Sequence, residues 1–215
     1  MGKLVEMPPR GHYTAWEVGQ LAGVSGQKVG QWSRRGYISA SQSNEIPKDY
    51  SYQDVAEAMV VHELLDRGVT HGSIKKAISA LREYGDWPLT AAVLATMKTT
   101  ERTRLVARRA GELHDVGDRG WQAVITPDNL QMISGQLQRG GWAVRHLPNL
   151  EHIEVDPGLL SGRPAIRGRR IAAQEVAEIS EEPNGWDDLV EGYGLSEAEI
   201  NDARTWWHQV RQLAA

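Results

Sequence analysis

Residues 14–36, TAWEVGQLAGVSGQKVGQWSRRG, constrain the fold more than any other stretch of the chain. Thr14 followed three places on by Glu17 is a capping-box pattern that opens a helix, and Ala15, Val18, Leu21 and Ala22 then recur at helical spacing. Gly23 can take the positive φ that ends a short helix, Val24 can plug the corner, and Ser25 is a good N-cap for a second helix. Gly36 closes that second helix. Two helices joined by a three-residue corner make a helix-turn-helix, whose second helix can lie in the DNA major groove.

With Val29 and Trp32 on the buried side of that helix, Gln27, Lys28, Gln31 and Arg34 face outward. Those side chains suit base edges and phosphates. A solvated face on an ordinary helical corner would carry the same types, so the rest of the chain has to decide between the two.

Charge is distributed unevenly. Residues 1–85 carry a net charge of +1, residues 86–150 a net of +2 and residues 151–215 a net of −7. The acidic last third argues against covering nucleic acid there, whereas the first two segments are compatible with it. Cysteine is absent, which excludes disulfides and thiolate metal sites and fits a reducing cytosol. No apolar run approaches the ~18 residues of a membrane helix, and residues 1–11 lack a signal-peptide core, so the expectation is a soluble cytoplasmic protein with no membrane partner. Eight Trp and no Phe mean that Trp carries much of the aromatic packing.

After the corner, Tyr37-Ile38-Ser39 reads as a short extended run before a polar loop. Ser51 with Asp54 three places on opens another helix, carrying Val55, Met59, His62 and Leu65 at helical spacing. Gly68-Val69-Thr70 breaks it, and Ile74, Ile78 and Leu81 mark a fourth helix. In this order the pieces resemble the MerR-type winged helix-turn-helix across residues 12–85. The matching strings are Gly23-Val24-Ser25, the Val29/Trp32 pair, Arg34-Arg35-Gly36-Tyr37-Ile38, residues 48–55 (KDYSYQDV) and residues 64–69 leading into Ser73-Ile74. The resemblance implies major-groove contact from residues 25–35, wing contact near Lys48 and Tyr50, and use as a homodimer on double-stranded DNA. The expected DNA-contact set is Thr14, Ser25, Gln27, Lys28, Gln31, Arg34, Arg35, Tyr37, Lys48 and Tyr50.

The chain departs from that family in several places. Gly30 and Lys48 stand where arginine is usual, and Gly26 and Gly30 inside one short helix should cost about 1 kcal/mol each relative to Ala. The long dimerising helix is missing, because Pro88 follows Trp87 directly. Metal sensing has no cysteine to work with.

Residues 86–150 read as a small α+β segment suited to self-association. A short helix is expected over Leu89–Met97, and paired strands over 104–107 and 112–116 across an Arg109-Ala110-Gly111 turn. A helix is expected from Pro127 to Leu137 and a strand over Trp142–Leu147. His114-Asp115 with Asp118 is the only semblance of an acid/base or metal cluster, and neighbours on a strand point to opposite faces. Arg102, Arg104, Arg108, Arg109 and Arg119 add either a basic surface or simple solvation. No nucleophile–base pair, catalytic spacing, metal site or cofactor motif is present, so no enzyme is expected.

Residues 153–171, IEVDPGLLSGRPAIRGRRI, hold four arginines within eight positions among Gly162, Pro164 and Gly168. No P-loop arrangement accompanies them, and a tight β-hairpin explains the glycines and proline. Helices are expected over Gln174–Ser180 and Trp186–Gly192. A turn at Tyr193-Gly194-Leu195 follows, and a capping box at Ser196/Glu199 opens a last helix through Trp206, Trp207 and Val210. The spacing is again that of a helix-turn-helix, yet residues 171–203 contain ten acids and no Lys or Arg, a surface that phosphates would avoid and a basic protein would not.

This last third, residues 151–215, resembles the domain-of-unknown-function 433 family. The resemblance is carried by Ile153 to Pro157, by Gly162-Arg163-Pro164-Ala165-Ile166-Arg167-Gly168-Arg169-Arg170-Ile171, and by Tyr193-Gly194-Leu195-Ser196-Glu197. Arg169 replaces a usual threonine. Many members of that family are antitoxins paired with PIN-like ribonuclease toxins, and the whole order resembles VapB-type antitoxins carrying a MerR-like domain. What this implies is a mainly α, α+β chain with three parts. A winged helix-turn-helix comes first, then a small α+β middle, and last a C-terminal β-hairpin with helix-turn-helix-like helices.

The corresponding function is a DNA-binding antitoxin and autorepressor. Its partner would meet Arg163, Arg167, Arg169 or Arg170, where an arginine could pair with the carboxylates that hold Mg²⁺ in such toxins, and exposed Trp206 or Trp207 would anchor the contact. Closing the domain's own core is the other role open to those two tryptophans. A stand-alone MerR-like regulator, with a C-terminal part that binds a small ligand or another regulator, is the alternative.

Overall fold

A computed structural model describes residues 9–117, 122–123, 130–132, 150–156 and 158–214. The architecture is α+β and mainly helical. Thr14 caps α1 (Ala15–Ala22) with both arms of its box: its Oγ1 accepts from the Glu17 amide at 3.3 Å, and the Glu17 carboxylate accepts from the Thr14 amide at 2.8 Å. Ser25 caps α2 (Gly26–Arg35) through the Lys28 amide at 3.3 Å, and Gly23 (φ 73°) and Gly36 (φ 72°) end the two helices in the left-handed region. Gly26, expected only to weaken its helix, has a packing reason. A Cβ there would lie 2.9 Å from the Trp16 Cα, so a side chain would push α2 off α1.

The loop after α2 folds back as a wing. It is held by a bridge between Ser43 and Asp49 and by paired amides between Tyr13 and Tyr50 at 2.9 Å in each direction. Helix α3 (Tyr52–Asp66) begins at the Ser51/Asp54 capping box, and α4 (His71–Ala80) at Thr70, whose hydroxyl accepts from the Ser73 amide at 3.1 Å. Asp54 does more than cap. Fully buried, it also accepts from the Ser41 amide and hydroxyl at 2.8 and 2.6 Å and from the Trp87 indole at 2.8 Å, tying wing, α3 and the following segment to one carboxylate.

The middle segment corrects two helix expectations. Helix α5 (Pro88–Ala91) stops after four residues, and Leu94–Lys98 is strand β1, not the continuation of a helix over 89–97. The segment from Pro127 to Leu137 contains strand β5 (Leu130–Met132). Both changes have one cause. β1 lies between β2 (Thr103–Arg109) and β5, so its backbone groups are paired on both edges and Leu94 through Met97 are buried. Ladder pairing and burial outweigh the helix preference of Leu, Ala and Met. The expected hairpin is present, with β2 antiparallel to β3 (Glu112–Asp115) and positive φ at Ala110 (51°) and Gly111 (88°) making the two-residue turn. With β4 (Gln122–Ala123) the sheet order is β4-β3-β2-β1-β5. The expected strand over Trp142–Leu147, together with Asp118 and Arg119, lies outside the described residues.

In the C-terminal segment β6 (Ile153–Glu154) pairs with β7 (Ala165–Ile166), and the tight turn comes after β7, where Gly168 (φ 73°) brings Ala172 back to Ala165. Helix α6 (Ala173–Ile179) follows, then a short helix α7 (Gly185–Asp187) running into a wide turn at Asp188–Gly192, then α8 (Glu197–Ala214). Ser196 and Glu199 form the expected box, at 2.7 and 3.3 Å. The apolar core is continuous from Tyr13 to Val210 and crosses both expected boundaries, at 85 and at 150. Tyr13 packs so closely on the C-terminal segment that a Cβ on Gly162 would fall 1.8 Å from its hydroxyl oxygen.

Candidate nucleic-acid interface

Helix α2 presents a clean division of faces. Val29 and Trp32 are 0% and 2% exposed, while Gln27, Lys28, Gln31, Arg34 and Arg35 all stand exposed. Lys28 keeps its ammonium 5.5 Å from the Trp32 ring centroid, a cation–π contact that leaves its donors outward. Arg34 and Arg35 occupy the last turn of α2, where the helix dipole also favours cations. Lys48 reaches from the wing to donate to the Ser33 hydroxyl at 2.9 Å, so wing and reading helix are held as one surface. The described part of that surface is basic and polar, and its one large exposed apolar side chain is Ile46 in the wing, 94% exposed.

Several residues expected at the interface do other work. Thr14 and Ser25 spend their hydroxyl oxygens on the caps of α1 and α2. Tyr37 is 8% exposed and lies against His71, and Tyr50 is 1% exposed with its backbone paired to Tyr13. Burial pushes the Tyr50 phenol above its ordinary value, against the smaller opposing pull of its hydrogen bond with Ser33. Both tyrosines are core residues, burying large aromatic rings at the two ends of the loop between α2 and α3.

The expected C-terminal contact residues divide as well. Trp206 and Trp207 are 2% and 7% exposed, stacked with centroids 5.8 Å apart, so neither is a surface anchor. In a chain without Phe they close the core between α6, α8 and the N-terminal helices. Arg169 is committed internally: its guanidinium donates to the Glu199 carboxylate at 3.2 Å and to the carbonyls of Tyr193 and Gly194 at 3.1 and 2.8 Å. Burial alone would raise the Glu199 carboxyl, but the Ser196 amide and hydroxyl together with Arg169 hold it below its ordinary value. Arg163 sits 3.6 Å from Glu175, whereas Arg167 and Arg170 are exposed.

Residue reasoning missed the buried carboxylate that joins α3 to α5. Glu57, 2% exposed, accepts from the Thr90 amide and hydroxyl at 2.8 and 2.9 Å, and burial raises its pKa to about 8. An acid set among Val55, Ala56, Ala58, Val60 and Val61, in a helix that is apolar nearly all round, was the available signal. Asp115, 5% exposed, accepts from the Gly117 amide at 3.0 Å, and among the described residues no group of three or more His, Cys, Asp or Glu is placed to hold a metal ion. No helix among the described residues is long and apolar enough to cross a membrane.

Residues 13–81 match the MerR HTH family regulatory protein model, which associates this segment with DNA binding and transcription regulation. Residues 153–205 match the model described as Protein of unknown function (DUF433). No curated protein sequence matches the chain. The crystal structure of Rv2018 from Mycobacterium tuberculosis is similar in fold, with a TM-score of 0.51 at 15% identity over 89% of this chain and 96% of that one. The chain therefore joins a MerR-like helix-turn-helix segment to a DUF433-like segment.

Proposed function

We propose that the protein is a DNA-binding antitoxin and autorepressor, which binds its operator as a homodimer through α2 and the wing and neutralises a PIN-like ribonuclease through its C-terminal segment. The observation that carries the reading is the opposition of two surfaces on one continuous core. One is a polar and basic helix-turn-helix face (Gln27, Lys28, Gln31, Arg34, Arg35 and Lys48), and the other is a C-terminal segment with ten acids and no Lys or Arg over residues 171–203. A phosphate backbone is attracted by the first and repelled by the second, so the second face is left for protein. Exposed Arg167 and Arg170 are the arginines available to meet a partner's carboxylates.

A dimer follows from recognition length. One reading helix spans only a few base pairs, and useful specificity needs two half-sites about one helical turn apart. The test is co-expression of the full chain with the product of the neighbouring gene, followed by co-purification and an RNA-cleavage assay. Complex formation with loss of cleavage supports the antitoxin reading. A fully active nuclease with no complex at micromolar concentration leaves a stand-alone regulator of the MerR-like kind.

A further inference from the structure

With Trp206 and Trp207 buried and Arg169 committed, the surface features left in the C-terminal segment converge on one open groove of about 580 Å³ between α6 and the turn at Tyr193–Leu195. Its apolar lining is Ile171, Ile179 and Leu195, and Tyr193 stands 53% exposed beside them, the most exposed large apolar side chain of this segment among the described residues. Glu175 and Glu178 of α6 and Glu182 just beyond its end line the same groove. The opposite wall is preformed. Arg169 ties the Tyr193 and Gly194 carbonyls to Glu199, so the turn that carries Tyr193 is set before anything binds. Arg169 spends its charge on Glu199 and Arg163 sits 3.6 Å from Glu175, leaving Glu178 and Glu182 against exposed Arg170 around the lining.

We propose that this groove is the docking site for a basic segment of a partner protein, seated by one apolar side chain against Tyr193, Ile171 and Ile179. The proposal rests on the reading that the C-terminal segment engages protein, and it moves the contact from the tryptophans to the groove. A concavity of this size lies within the range of roughly 300–1,000 Å³ that buries a ligand's side chains. An apolar floor with a charged rim supplies both parts of a specific contact, an anchor pocket and a sign of charge. The sign selects the occupant: of the ten acids in residues 171–203, Glu175, Glu181 and Glu199 pair with Arg163, Arg211 and Arg169, and the seven that remain outnumber exposed Arg167 and Arg170, so lysines or arginines are drawn in and a nucleic acid is turned away.

The test uses the full chain and two short labelled peptides, one built of lysine and leucine and its counterpart built of glutamate and leucine, followed by fluorescence anisotropy. The lysine peptide should bind at least about tenfold more tightly than the glutamate peptide, and the pair Glu178→Lys with Glu182→Lys should weaken it by about tenfold. Tyr193→Ser should weaken it as well, without altering the far-ultraviolet circular dichroism. The control is Asp187→Lys with Glu191→Lys, an equal change of charge on exposed residues outside the groove, which should leave affinity within about twofold.

Equal weakening by both pairs, or none by the groove pair, overturns the proposal. The two ideas fail separately. A co-purified partner that the groove pair does not release sinks the groove and keeps the antitoxin reading. Groove-dependent peptide binding with no inhibited nuclease does the reverse.

Discussion

Trp16 of α1 and Trp207 of α8 meet edge to face, with ring centroids 6.0 Å apart and ring planes at 80°. This contact joins the back of the helix-turn-helix to the last helix of the chain. Trp16 is also the residue whose backbone forces glycine at position 26, so the C-terminal helix, α1 and the start of the reading helix form one continuous stack. Trp207→Ala should cost about 3–5 kcal/mol as a buried aromatic truncation, and the Trp16→Ala/Trp207→Ala cycle should return a coupling of about 0.5–1.5 kcal/mol. Urea denaturation of the full chain reads both. A coupling of zero would mean that the two segments are joined by other contacts alone.

The two glycines of α2 should respond oppositely to alanine. At Gly30 the nearest atom to an added Cβ would be Arg34 Nη1 at 3.4 Å, an ordinary contact at the end of a flexible side chain. Gly30→Ala should therefore stabilise by about 1 kcal/mol through helix propensity. Gly26→Ala should destabilise in spite of the same propensity gain, because its Cβ would meet Trp16 backbone at 2.9 Å. Thermal melts of the two variants, run side by side, check the difference in sign.

Stability should fall as pH rises because of Glu57. Its carboxyl, raised by burial to about 8 in the folded chain, ionises near 4.5 when unfolded, so the folded state holds the extra proton between those values. The favourable contribution is complete below about 4.5 and lost as pH rises through about 8. Glu57→Gln keeps an acceptor for the Thr90 amide and hydroxyl and removes the titration. Denaturation midpoints between those pH values should decline in the parent chain and decline less in the variant, and parallel profiles would exclude Glu57 as the source.

Operator binding should separate phosphate contacts from base contacts. Lys28→Ala and Arg34→Ala should weaken all sequences alike and each lower the salt slope by about one unit. Gln31→Ala should instead relax discrimination at one position of the site. Electrophoretic mobility shifts over a range of salt concentrations, with the operator and with single-base variants, distinguish the two classes. Operator shifts by residues 86–215 alone that equal those of the full chain would move the interface out of the helix-turn-helix.

Local signals were enough to read the helix-turn-helix. The caps at Thr14, Ser25, Ser51 and Ser196 and the stops at Gly23 and Gly36 depend on side chains within three or four residues, and the burial of Val29 and Trp32 follows from helical period alone. The same locality made the hairpin of β2 and β3 visible through its two-residue turn. Tertiary structure decided the rest.

Leu94–Lys98 became a strand because two other strands paired with it, and nothing in LATMK announces those partners. Trp206 and Trp207 became core because α1 and α6 cover them, and helical spacing records only that they share a helix, not what lies opposite. Arg169 looked available to a partner until the fold brought Glu199 and two carbonyls to it across about 30 and 25 residues of chain. Short-range hydrogen bonding is written in neighbouring residues, while the partner of a buried ring or a bound charge depends on which distant segments the core brings together.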